Sequence, residues 1–187
     1  MNSTDFFADN TASNRYQDIV VDWLESKGYT VMDVSMDKEY QLQDIDFIVT
    51  KGTVCRTVEF KADNWMSKTG NIAFEVMSNL ELAKPGCLTY SKADWLYYYD
   101  TNSHVLHAMK LVNLREMFSN GQLNTGTWKS THTKAGQGSY TTINLLIRLD
   151  NIKKALSAKG DYRHHDLNEY ATKKAAQHPA KELAQPS

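Results

Sequence analysis

The chain of 187 residues has only two cysteines and three prolines, no long apolar run, and no excess of either charge. Each shortage excludes something. Cys55 and Cys87 are too few and too isolated for a disulfide framework or a four-ligand zinc site, and each is expected to be a small buried thiol. No stretch approaches the roughly 18–20 apolar residues of a membrane-spanning helix, so no membrane partner is expected. The opening residues Met1-Asn2-Ser3-Thr4-Asp5 lack the basic and apolar regions of a signal peptide, which makes the cytoplasm the expected location. What is present, 41% hydrophobic and 23% charged residues, suits a single globular domain and not a disordered chain.

The net charge of −1 argues at first against a polyanionic partner. It hides a split. Residues 1–100 hold 9 Lys or Arg against 16 Asp or Glu, whereas residues 101–187 hold 12 against 6. An acidic half joined to a basic half fits either an acidic cluster with a separate phosphate-binding surface, or faces that neutralise each other across the fold.

Helical spacing of Ile19, Val20, Trp23 and Leu24, stopped by Lys27-Gly28, predicts a helix over 13–27 behind a polar arm, 1–13. A strand is predicted over 29–34, and a hairpin over 43–50 and 53–61 turning at Lys51-Gly52. Further strands are expected over 72–77, 95–100, 105–109 and 140–147, with helices over 111–118 and 150–158. The Gly-, Thr-, Lys- and Ser-rich stretch 121–138 shows no periodicity and reads as a mobile loop. The domain is thus expected over 14–158, followed by a polar tail or frayed helix, 159–187. The fold class is α/β (α+β), a mixed sheet with a leading helix and flanking helices.

Within the hairpin, Asp44-Ile45-Asp46-Phe47-Ile48-Val49 is followed by Val58-Glu59-Phe60-Lys61. Residues two apart on a strand share a face, so Glu59 and Lys61 point together, and Asp46 at the start of the other strand lies across from them. Two carboxylates, helped by a backbone carbonyl such as that of Phe60, suit Mg²⁺, with Mn²⁺ as a substitute. Such a cation activates a water and offsets charge on an attacked phosphate, while a neighbouring lysine orients or deprotonates that water.

Asp46 with Glu59-Phe60-Lys61 on a hairpin entered from a helix resembles the PD-(D/E)XK nuclease superfamily, which includes restriction endonucleases and Holliday junction resolvases. With Thr69-Gly70-Asn71, Glu75, Lys84-Pro85-Gly86 and Ser91-Lys92-Ala93-Asp94-Trp95, the order of motifs over residues 14–100 is similar to its phage- or prophage-type branch. Ile45 stands where members usually carry proline. The resemblance implies a restriction endonuclease-like fold, Mg²⁺-dependent cleavage of DNA to 5′-phosphate ends, and catalysis by Asp46, Glu59 and Lys61, with Asp46, Glu59 and the Phe60 carbonyl on the metal. Many members are dimers, so a homodimer is open. Asp44 competes with Asp46 for the metal. Asp18 on the first helix and Glu75 are secondary candidates, each with a solvated or surface-paired alternative. Lys129, His132 and Lys134 in the Gly-rich stretch carry the parts of a phosphate-contacting loop, which Arg115, Arg148, Lys153, Lys154 and Arg163 would extend. The alternative is a catalytically silent protein of this fold that binds nucleic acid or a host protein.

Overall fold

The computed structural model describes residues 3–123, 125–135 and 138–177. Helix α1 (Ser3–Ser26) leads into a six-stranded mixed sheet in the order β1 (Thr30–Asp33), β2 (Phe47–Lys51), β3 (Val54–Asp63), β6 (Trp95–Asp100), β7 (Val105–Lys110) and β10 (Tyr162–Asp166). Between β1 and β2 stands the short α2 (Lys38–Gln41), and between β3 and β6 come α3 (Met66–Thr69), β4 (Asn71–Asn79), β5 (Lys84–Pro85) and α4 (Cys87–Tyr90). After β7 follow α5 (Leu111–Ser119), β8 (Thr127–Ala135), β9 (Gly138–Arg148) and α6 (Leu149–Ser157), and α7 (Asn168–Gln177) follows β10. A second sheet has the order β5-β4-β9-β8 and is antiparallel throughout. The class is mixed α/β, as expected from the sequence. Among the described residues no helix is long and apolar enough to cross a membrane.

Alternation on the central strands separates two cores. Phe47, Val49, Val58 and Phe60 face Ile19, Val20, Trp23 and Leu24 of α1, with Leu167, just before α7, and Ala171 of α7 closing the cluster. The other face of the sheet, with Leu96, Tyr98 and Met109, packs against Ile72, Phe74, Leu145 and Ile147 of the second sheet and against α4, α5 and α6. Strands β3 and β6 run parallel, so the segment between them must cross over, and it does so by way of the second sheet.

Several sequence expectations give way. The hairpin turns at Gly52-Thr53, since Lys51 pairs with Val54, and the positive φ of 59° at Gly52 suits the first central position of a type II′ turn. Helix α1 begins at Ser3, ten residues before its predicted start, so the expected arm is helical from that residue. The stretch read as a mobile loop is largely β8, paired residue for residue with β9; Gly136 and Gln137 lie outside the described residues. The expected tail contains an edge strand and a helix, so the domain runs past 158 to Gln177, and residues 178–187 lie outside the described residues. Cys87 is buried as expected, but Cys55 is exposed.

Helix α7 is held to α1 by Leu167, by Lys174 Nζ 3.0 Å from Asp22, and by Tyr170 and Ser26 hydroxyls 2.7 Å apart. Leu167 is fully buried. Leu167→Ala is expected to cost about 2–5 kcal/mol in urea unfolding, as for a core leucine, whereas a solvated tail would show no change.

Candidate functional site

The paired residues of β2 and β3, from Lys51 and Val54 to Phe47 and Val58, set a register that places Asp46 opposite Glu59 at the next step. The backbone of Asp46 is pinned on both sides: its N–H donates to the Val58 carbonyl (2.9 Å) and its carbonyl accepts from Val34 N–H (2.9 Å). Beyond this point β3 has lost β2 as a partner. The Asp46 carboxylate takes over there, accepting the Phe60 N–H at 2.8 Å. The Phe60 carbonyl points to the same side, because N–H and C=O of one strand residue share an edge. Glu59 is 3% exposed, with Oε1 2.9 Å from Lys61 Nζ, and the lysine side chain is 36% exposed.

Like charges directly opposite on neighbouring strands oppose folding, and burial makes this pair worse. Burial pushes the Glu59 carboxyl up to about 8; Lys61 pulls it down, and Asp46 and Asp44 push it further up. The Asp46 carboxyl is also raised by burial, against the lowering effects of the Phe60 N–H, Lys61 and a hydrogen bond from Glu59. Burial alone would lower the Lys61 ammonium, but Glu59, then Cys87 and Glu75, hold it well above the ordinary lysine range. The Lys61 ammonium is therefore favoured beside its acidic neighbours, while burial makes the Glu59 carboxyl hold its proton more tightly than an ordinary glutamate does.

A divalent cation would supply further positive charge. Among the described residues no group of three or more His, Cys, Asp or Glu side chains comes together as a metal cage. The donor set is two carboxylates and the Phe60 carbonyl, which fits Mg²⁺, an ion held through one or two carboxylates while keeping several waters.

Asp46, Glu59, Phe60 and Lys61 open into a cavity of about 420 Å³ also lined by Gln17, Gln41, Asp44 and Lys84. Asp44 sits on its rim in a left-handed conformation (φ 54°) that aspartate tolerates, turning the chain into β2. Asp18 points elsewhere: it lies 3.8 Å from Lys174 of α7, and its helix neighbour Gln17 reaches the cavity instead. Glu75 lines a second, larger groove that shares Phe60 and Lys61 with the cavity. Lys129 lines that groove too. His132 and Lys134 lie an odd number of residues from Lys129 on β8 and so face the other way; the three do not form one surface. Sequence reasoning missed Gln41 and Lys84, which reach the site only through tertiary packing.

Comparison with known proteins returned no family model, no curated protein and no solved structure that matches the chain.

The raised Glu59 carboxyl has a definite sign in stability. Between its ordinary value of 4.5 and about 8 the folded state binds the proton that the unfolded state releases, so metal-free protein loses stability as pH rises across that window. The loss is on the order of 4 kcal/mol, at roughly 2–4 °C of melting temperature per kcal/mol. Melting of the wild type in EDTA is expected to drop between pH 5 and 8, and Glu59→Gln to flatten the profile; equal slopes would refute the assignment.

Proposed function

We propose that the chain is a metal-dependent deoxyribonuclease of the PD-(D/E)XK type, with Asp46, Glu59 and Lys61 as catalytic residues. The observation that carries this reading is the direct opposition of Asp46, just before β2, and Glu59, with the Lys61 ammonium 2.9 Å from Glu59. Asp46, Glu59 and the Phe60 carbonyl would hold Mg²⁺, or Mn²⁺ in its place. When bound, the cation lowers the pKa of a water and offsets charge developing on the phosphate.

The protein's own groups do the positioning. Phe60 N–H fixes the rotamer of Asp46, so the carboxylate is set before any ligand arrives. Lys61, kept charged by Glu59, serves as a donor that aligns the attacking water or a phosphate oxygen and not as the base. The water gives up a proton to bulk solvent and its oxygen bonds to phosphorus as the P–O3′ bond breaks; O3′ takes a proton from solvent, and the products are a 5′-phosphate and a 3′-hydroxyl. DNA is the proposed substrate, a homodimer a compatible assembly, and a phage or prophage a fitting context.

Supercoiled plasmid is expected to be cut in Mg²⁺ and spared in EDTA. Asp46→Asn, Glu59→Ala and Lys61→Ala should each lower the rate by roughly 10²-fold or more, while Asp18→Asn leaves it unchanged. Cleavage by all three site variants at the wild-type rate would refute the proposal, and binding without cleavage would favour the silent alternative.

A further inference from the structure

The larger groove, about 910 Å³, begins at Phe60 and Lys61 and runs away from the carboxylates between the end of β3 and the second sheet. Its far wall is a polar row across three strands. Glu75 pairs with Asn144, and Asn144 with Lys129, so the three side chains share one face. Arg148 continues that face from Asn144 by alternation and donates to the Thr69 carbonyl (2.8 Å) at the groove's margin.

The near wall carries Trp65, 63% exposed although its backbone is firmly held. Its N–H donates to Asp63 (2.5 Å), and its carbonyl accepts from the Thr69 hydroxyl (3.0 Å). Lys68 Nζ stands 4.9 Å from the ring centroid. A largely exposed indole fixed at its base on a groove wall, with Lys68 over its ring, is the pairing of aromatic platform and cation that tracks an unpaired strand. The groove's volume lies at the top of the roughly 300–1,000 Å³ of small-ligand pockets, room for a few nucleotides.

We propose that this groove receives single-stranded nucleic acid, a base stacking on Trp65 and backbone phosphates meeting Lys129 and Arg148, so that a phosphodiester is delivered past Lys61 to the carboxylates. The inference rests on the nuclease reading, and it makes an unpaired strand the substrate feature the site selects.

The test is fluorescence anisotropy of the full chain with a labelled 12-nucleotide DNA strand, its duplex and the RNA strand of the same sequence, in Ca²⁺, with cleavage in Mg²⁺ measured in parallel. The single strand is expected to bind at least about tenfold tighter than the duplex. Trp65→Ala should weaken it about fivefold or more and Trp65→Phe restore most of the loss. Lys129→Ala should reduce the salt slope by about 0.7. Melting curves of the variants confirm that they fold. Tighter binding of RNA than of DNA would support the groove and identify the polymer. Equal affinity for the duplex, or wild-type affinity in both Trp65→Ala and Lys129→Ala, would overturn the groove while Mg²⁺-dependent cleavage left the nuclease reading standing. Trp65-dependent binding of the strand without cleavage of any substrate would support the groove and refute the nuclease reading.

Discussion

Asp46 and Glu59 are held face to face by a register that neither residue sets. Phe47, Val49, Val58 and Phe60 alternate with them and bury against α1, and a slip of one residue would turn Glu59 and Lys61 into that core. The apolar packing thus enforces a proximity that the two carboxylates would avoid if both were ionised. Helix α7, clamped on α1, belongs to the same constraint, because it completes the cluster against which the register is fixed. Lys61 answers part of the repulsion, and Glu59 remains raised to about 8. The fold thus maintains this pair, with Asp46 oriented by the Phe60 N–H and Lys61 as the neighbouring cation.

The split between acidic and basic halves is bridged at Lys174, and other basic residues pair within their own half. Lys174 meets Asp18 and Asp22, Lys110 meets Asp161, and Lys159 meets Glu116. Arg163 covers Trp95, and Arg115 donates to the Leu88 carbonyl. Among the described residues beyond 100, these basic side chains thus meet partners on several different elements. Lys129 and Arg148 are the ones placed toward the groove, so the whole-chain total of −1 says little about the local field around Lys61.

Legibility in the sequence followed burial. The hairpin and α5 could be read because their apolar residues repeat at strand or helix spacing, and β6 because it is a continuous apolar and aromatic run; the shared face of Glu59 and Lys61 came from the hairpin's alternation. Strand β8 could not. It is an edge strand, exposed at Trp128, Lys129, Ser130, Thr131 and His132 alike, so it carries no apolar period. The segment after 160 hid for a related reason: β10 is the other sheet's edge, and α7 buries only an alanine within its own span, the anchoring Leu167 standing just before it. Gln17, Gln41 and Lys84 join the site from three separate elements, a proximity that spacing along one chain does not encode.

Calorimetric titration of Mg²⁺ at pH 7, run in two buffers of different ionisation enthalpy, tests most directly the proposal that Asp46 and Glu59 hold a divalent cation. One saturable site is expected, its filling releasing a proton from the protein, and it is lost in both Asp46→Asn and Glu59→Gln. Absence of saturable binding, or binding that survives in both variants without proton release, would contradict it.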